Sequence, residues 1–166
     1  MPYEKLSILI PVYNERYTIG TVIQRVLDIP LPGGLDKEIV IVDDGSSDGT
    51  RAILSEIADR HHASVKVHFH PQNRGKGAAI STAISLATGD LSIIQDADLE
   101  YDPKDYRRML RPILDGEADV VYGSRFASSD YRRVLFFWHT LGNKLLTTIS
   151  NAFTDLNLTD METCYK

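Results

Sequence analysis

The sequence predicts an α/β domain built on a mostly parallel sheet, and three observations lead there. Short runs of aliphatic and β-branched residues alternate with longer segments whose apolar residues recur at helical spacing. The short runs are apolar almost throughout, as in strands covered on both faces. Each is followed by a helical segment long enough to cross back, which is the connection that parallel strands require and which takes one hand.

Taken in order, Leu6 to Val12 reads as a buried strand and Thr18 to Leu27 as a helix, with Ile19, Val22, Ile23, Val26 and Leu27 on one face. Pro30-Leu31-Pro32-Gly33-Gly34 is a loop. Glu38 to Val42 is a second strand that breaks at Asp43-Asp44-Gly45-Ser46, and Ser47 or Asp48 caps a helix reaching about Arg60. Val65 to Phe69 is a third strand, Gly77 to Ala87 a helix and Leu91 to Ile94 a fourth strand. Asp102 serves as N-cap, with Pro103 at the first position of a helix to about Leu110. Val120 to Tyr122 is the expected fifth strand. Beyond it the pattern changes, and Val134 to Phe153 is a long helical candidate rich in Leu, Phe and Trp.

Composition narrows the class. With 166 residues and 43% hydrophobic content, residues 1–166 are expected to form a single domain with a sizeable core. The chain stops after Cys164-Tyr165-Lys166 without a turn or cap signal, so it is expected to be a fragment truncated at its C-terminal end. A net charge of -5 argues against nonspecific nucleic-acid binding. Cys164 is the single cysteine, which excludes an internal disulfide and fits a reducing, cytoplasmic setting. No signal peptide precedes Leu6, and no apolar run approaches the ~20 residues that cross a bilayer.

In parallel sheets ligands bind beyond the carboxyl ends of the strands. Tyr13-Asn14-Glu15, Asp43-Asp44, Asp96-Ala97-Asp98 and Gly123-Ser124-Arg125 all follow expected strand ends. The stretch from Gly89 to Pro103 is the most pointed, because an apolar strand runs straight into Asp96, Asp98 and Glu100. Residues two apart on an extended backbone face the same way, so these three carboxylates are expected to converge on a hard divalent cation, Mg2+ or Mn2+. Gly75-Lys76-Gly77 could bring backbone and a cation near phosphate at a helix start, although a glycine-rich helix entry is the simpler reading of Lys76 and the spacing is not that of a P-loop. His68 and His70 alternate on the third strand and His61 and His62 end a helix, but nothing completes a tetrahedral zinc site. Asp43, Asp44 and Asp48 also read as turn or helix caps.

Pro11-Val12-Tyr13-Asn14-Glu15, Asp43-Asp44-Gly45-Ser46-Ser47-Asp48-Gly49-Thr50, Asn73-Arg74-Gly75-Lys76-Gly77, Asp96-Ala97-Asp98 and Gly123-Ser124-Arg125, in that order, resemble family 2 glycosyltransferases of the GT-A fold. The nearest subgroup is the dolichol- or polyprenyl-phosphate mannose and glucose synthases. The resemblance spans essentially the whole chain and implies a Rossmann-like GT-A sheet. It implies that Pro11, Tyr13, Glu15, Val42, Asp44, Lys76, Asp96 and Ala97 bind the nucleotide sugar, and that Asp96 and Asp98, with Glu100 as a third ligand, hold the metal. Asp98 and Arg125 are then the catalytic residues, Arg125 supplying a forked donor to phosphate oxygens.

The reaction so implied moves a hexose, with inversion, from GDP-mannose or UDP-glucose to a polyprenyl or dolichyl phosphate. Such a phosphate is already ionised and needs no general base, whereas a hydroxyl acceptor would; Asp160 or Glu162 lie near where that base would fall, and each could equally be a helix cap. Arg132, Arg133 and Lys144 are the acceptor-phosphate candidates. The basic and aromatic run from Arg132 to Trp138 suits the cytoplasmic face of a membrane, while Leu141, Leu145 and Ile149 at helical spacing also suit a core. Competing readings are a transferase acting on a sugar hydroxyl, a noncatalytic nucleotide-binding domain and, least, a phospho-receiver domain, whose acid pair would follow the first strand and not the second.

Overall fold

The computed structural model describes residues 3–124, 137–161, 163 and 165. Four parallel strands, β1 (Lys5–Val12), β2 (Asp36–Asp43), β3 (Val65–Phe69) and β4 (Leu91–Ile94), form one sheet in the order β3-β2-β1-β4. The helices are α1 (Ile19–Asp28), α2 (Thr50–Arg60), α3 (Lys76–Leu86), α4 (Tyr106–Leu114) and α5 (Phe137–Thr154). Chain order moves outward from β1 through β2 to β3 and then returns to the other side of β1. The gap between β1 and β4 is thus a topological switch point.

The period of two explains how the sheet is buried on both faces. Leu6, Ile8, Ile10 and Val12 of β1, with Ile39 and Ile41 of β2 and Ile93 of β4, pack against Ile19, Val22, Ile23 and Val26 of α1, Leu54 of α2 and Tyr106 and Leu110 of α4. The intervening Leu9, Val40 and Val42 face Ala79 and Ala83 of α3, whose small side chains let that helix lie close. Each fully buried aliphatic side chain contributes about 1.5–3 kcal/mol, so β1 and β2 are the thermodynamic centre.

The expected helix signals are present with small shifts. Asp48 accepts hydrogen bonds from the Thr50 amide (3.0 Å) and hydroxyl (2.6 Å), so it and not Ser47 closes the start of α2. Asp102 accepts from the Lys104 amide at 3.0 Å ahead of a 3-10 turn, Pro103–Asp105, that leads into α4.

The fifth strand is a correction. Residues 120–124 are not in a strand, and Val120 is 67% exposed. The Gly123 amide donates instead to the Tyr165 carbonyl at 2.9 Å. Three apolar residues beside Asp119 do not make a strand unless a neighbouring ladder takes their backbone groups, and the β4 edge does not take them here.

Candidate nucleotide and cation site

The site grows from the loops that leave β1, β2 and β3 at the switch point, and hydrogen bonds tie those loops together. Asn14, with φ 55°, donates its amide to Ser46 Oγ (2.8 Å) and accepts from the Ser47 amide through Oδ1 (2.9 Å). The Glu15 amide donates to Thr50 Oγ1 at 2.9 Å. Gly45 has φ 82°, and a Cβ there would lie 2.6 Å from the backbone of both Gln72 and Asn73. Only glycine lets the loops after β2 and β3 meet in this way.

Asp44 is the knot between them. Its carboxylate accepts from His70 Nδ1 (2.7 Å), the Arg74 amide (3.0 Å) and the Gly75 amide (2.7 Å), while His70 Nε2 lies 3.0 Å from Thr82 Oγ1. An ionised carboxylate only accepts, so Nδ1 carries the proton on that side of the ring. Burial pushes the Asp44 carboxyl up, but the hydrogen bonds from His70, Arg74 and Gly75 outweigh it and hold the group below its ordinary value. Asp43 beside it is wholly buried, accepting from the Ser46 amide (3.2 Å) and pairing with Arg51 Nε (3.1 Å). It acts as the turn cap, and its Oδ2 has no hydrogen-bond partner among the described residues.

These loops and the one after β4 enclose a cavity of about 270 Å³. Pro11, Tyr13, Glu15, Asp44, Lys76, Asp96, Ala97 and Asp98, all expected at the nucleotide sugar or metal, line it. Val42 does not. It is wholly buried against α3, because its parity on β2 turns it inward one residue before the strand ends. Arg125, Arg132, Arg133 and Glu162 lie outside the described residues. Lys144 is exposed on α5 and is not among the lining residues. Asp160, a candidate base, is 1% exposed, accepts from Asn143 Nδ2 at 2.8 Å and does not line the cavity.

The three-acid ligand set is a second correction. Among the described residues no group of three or more His, Cys, Asp or Glu is placed to hold a metal ion. Alternation persists only while the backbone is extended, and β4 ends at Ile94; the chain then bends, and the Glu100 amide donates to Asp98 Oδ1 at 2.9 Å. Asp96 and Asp98 remain on the cavity with Glu15. Burial pushes the Asp98 carboxyl above its ordinary value, and the charges of Asp96, Glu100 and Glu15 push it the same way against the Glu100 amide. Lys76 Nζ pairs with Asp96 Oδ1 at 2.6 Å. Crowded carboxylates with one carboxyl driven toward protonation mark a place suited to a cation.

Some contributors were not visible as such in the sequence. Asn73 and Ala79 line the cavity, the first from a motif already conspicuous and the second from an unremarkable helix turn. Gln95 is wholly buried, accepts from the hydroxyls of Tyr106 (2.8 Å) and Tyr165 (3.1 Å), and donates to the Asp96 carbonyl at 3.0 Å. It braces the acidic loop, and no local pattern announces it.

Comparison with known proteins bears on the family and the fold. The family model described as Glycosyl transferase family 2 matches residues 7–165. The undecaprenyl-phosphate 4-deoxy-4-formamido-L-arabinose transferase of Klebsiella pneumoniae is 36% identical over 120 residues, 72% of this chain and 36% of the relative, so the chain spans about a third of that protein's length. Among solved structures, the mannosyltransferase PcManGT from Pyrobaculum calidifontis, in complex with GDP-Man and Mn2+, is 30% identical with a TM-score of 0.52, covering 63% of this chain and 30% of that one. GalNAc-T7 with UDP, GalNAc and Mn2+ is 26% identical with a TM-score of 0.58, covering 68% of this chain and 21% of that one. The switch-point sheet and a family match over nearly its whole length show that the chain belongs to glycosyl transferase family 2 and has the GT-A fold.

Proposed function

We propose that this chain carries the donor site of a metal-dependent, inverting transferase that moves a sugar from a nucleoside diphosphate to a polyprenyl phosphate. The observation that carries the reading is the switch-point cavity itself, where Glu15, Asp96 and Asp98 crowd together beside Lys76. The cation is Mg2+ or Mn2+. Two carboxylates, with no group of three acidic, His or Cys ligands among the described residues, suit such an ion, which keeps positions for water and substrate phosphate. Mn2+ in two of the similar structures supports this choice.

When bound, the ion supplies Lewis-acid charge that stabilises the departing diphosphate. The chain's own residues do the rest. Asp96 and Asp98 would hold the cation, and Lys76 would add a point charge near the phosphates. Asp44 fixes the Arg74-Gly75 turn next to Lys76, and Tyr13 and Asn73 line the cavity that would take the nucleotide. A phosphate oxygen of the acceptor attacks the anomeric carbon from the face opposite the leaving group, and the bond to the diphosphate oxygen breaks with its electron pair, through an oxocarbenium-like transition state. Arg125 is the proposed guanidinium partner of these phosphates.

Two observations favour a lipid phosphate over a sugar hydroxyl as acceptor. Asp160 is buried and hydrogen-bonded away from the cavity lining, and a phosphate monoester needs no base. The Klebsiella relative is named for an undecaprenyl-phosphate acceptor. On α5, Trp138 (76% exposed), Leu141, Leu145, Ile149 and Phe153 (86% exposed) share one outward stripe, while Asn143 and Thr147 face inward to the 158–161 turn. Among the described residues no helix is long and apolar enough to cross a membrane. We assign the α5 stripe to the interfacial layer of the cytoplasmic leaflet, with Lys144 on its flank and Arg132 and Arg133 upstream as headgroup contacts. The finer reading of the donor is a hexose, mannose or glucose, on GDP or UDP.

The test is transfer of labelled sugar from GDP-mannose and UDP-glucose to undecaprenyl phosphate with Mn2+ or Mg2+, beside calorimetry with each nucleotide. Metal-dependent binding with turnover supports the proposal. Binding without transfer to any polyprenyl phosphate leaves a nucleotide-binding domain, and absence of both sinks it.

A further inference from the structure

Lys76 has a position that serves two partners. Its backbone is anchored, because the preceding Gly75 (φ 90°) donates its amide to Asp44 and its carbonyl accepts from Ala78 and Ala79 in the first turn of α3. Its side chain is 53% exposed, while the Asp96 carboxylate it reaches is 12% exposed. A lysine is a point charge on a flexible stem, able to change partners without moving the backbone. The partner it takes, Asp96 Oδ1, is one of the two carboxylates a cation in this cavity would use.

We propose that Lys76 is an exchange residue that couples divalent-cation binding to diphosphate binding. A cation that takes Asp96 as a ligand displaces the ammonium from Oδ1. The diphosphate is the anion that receives the displaced ammonium at the start of α3. Each ligand therefore removes a cost that the other would meet, which is positive coupling without movement of the fold. A carboxylate held by the ammonium nine-tenths of the time weakens the apparent affinity of a cation about tenfold. This inference rests on the reading of Asp96 as a cation ligand.

The experiment measures Mn2+ binding from the electron paramagnetic resonance signal of the free ion, for the whole chain and for Lys76→Met, each alone and with GDP or UDP. The expected result is that Lys76→Met alone binds Mn2+ about five- to tenfold more tightly, while the nucleotide's enhancement of Mn2+ affinity falls about tenfold. Lys76→Arg keeps the charge and should retain most of the enhancement. Arg60→Met, at the far end of α2, controls for net charge and should change neither value. Thermal melts establish that each variant is folded, and Lys76→Gln replaces the methionine variant if that one is not. Unchanged or weaker Mn2+ binding by Lys76→Met alone, in a wild type that binds Mn2+ with nucleotide, overturns the coupling and leaves the site. Absence of Mn2+ binding by the wild type under every condition overturns the site reading itself.

Discussion

The two edges of the sheet carry acids of the same kind in opposite condition. Where the strands begin, Glu38 is buried and accepts from Ser7 Oγ (2.6 Å), Lys66 Nζ (2.6 Å), the Thr88 amide (2.8 Å) and the Thr88 hydroxyl (2.9 Å). Burial alone would raise its carboxyl, yet the hydrogen bonds from Lys66, Ser7 and Thr88 bring it down to about 2. Where the strands end, Asp98 has one amide donor and three like charges around it, and its carboxyl is pushed up. A buried acid with all its acceptor sites filled stabilises the fold. An acid crowded by its own kind costs stability and persists because something outside the chain can answer it.

Substitutions can break this contrast, and the largest effect falls at the strand ends. Asp98→Ala should lower metal-dependent nucleotide binding and transfer by about a hundred- to thousandfold, a loss of the size seen when one electrostatic stabiliser is removed from a site. Its melting temperature should hold or rise. Titration calorimetry and a thermal melt on the same sample check both halves, and a collapsed melt would remove the contrast.

Glu38→Ala should do the reverse, costing about 3 kcal/mol in urea unfolding because Lys66, Ser7 and Thr88 lose their shared acceptor. Nucleotide affinity of the folded fraction should stay within about twofold of wild type. Next come two glycines. A Cβ at Gly89 would lie 2.7 Å from Ser7 Oγ, and one at Gly45 would lie 2.6 Å from Asn73 N. Both alanine variants should lose about 1–3 kcal/mol, but only Gly45→Ala should also weaken nucleotide binding, because it displaces the loop that Asp44 holds.

The smallest effect is a difference of sign in pH dependence. The Glu38 carboxyl is depressed, from an ordinary 4.5 to about 2, so its contribution is fully present above about 4.5 and is lost as pH falls toward 2. The Asp98 carboxyl is raised, so the folded state binds its proton more tightly than the unfolded chain does. Its effect on stability therefore declines as pH rises past the ordinary carboxylate range. Asp98→Asn should remove that decline and raise stability at neutral pH by less than about 1 kcal/mol. Chemical unfolding at a series of pH values, wild type against each variant, reads both slopes. Parallel slopes would erase the distinction between the two edges.

Much of the fold was legible along the chain because its rules are local. Strands of one parity, helices of one periodicity and the caps at Asp48 and Asp102 depend on near neighbours. β3 and β4 match the reading to the residue, and β1 and β2 lie within two residues of it at each end. Most of the cavity lining was legible for a related reason: residues just past parallel strands must lie at one edge, so Tyr13, Asp44, Asp96 and Asp98 were bound to be neighbours. The structure departs from the reading at three places. Glu100 was placed by extending β4 through a bend, Val42 by passing over its inward parity, and the fifth strand by three residues with no ladder to join.

By itself, then, the sequence determined the alternation of elements, the parallel sheet and the edge on which its acids gather, since each follows from patterns within a few residues. Tertiary structure alone decided what each acid does there. It gave Asp44 to His70 and the Arg74-Gly75 turn, put Lys76 on Asp96, and set Gln95 between Tyr106 and Tyr165 beneath the acidic loop. Such pairings join residues up to 70 positions apart. Chain-local propensities carry no information about which distant donor will arrive first, so only the packed molecule can assign the partners.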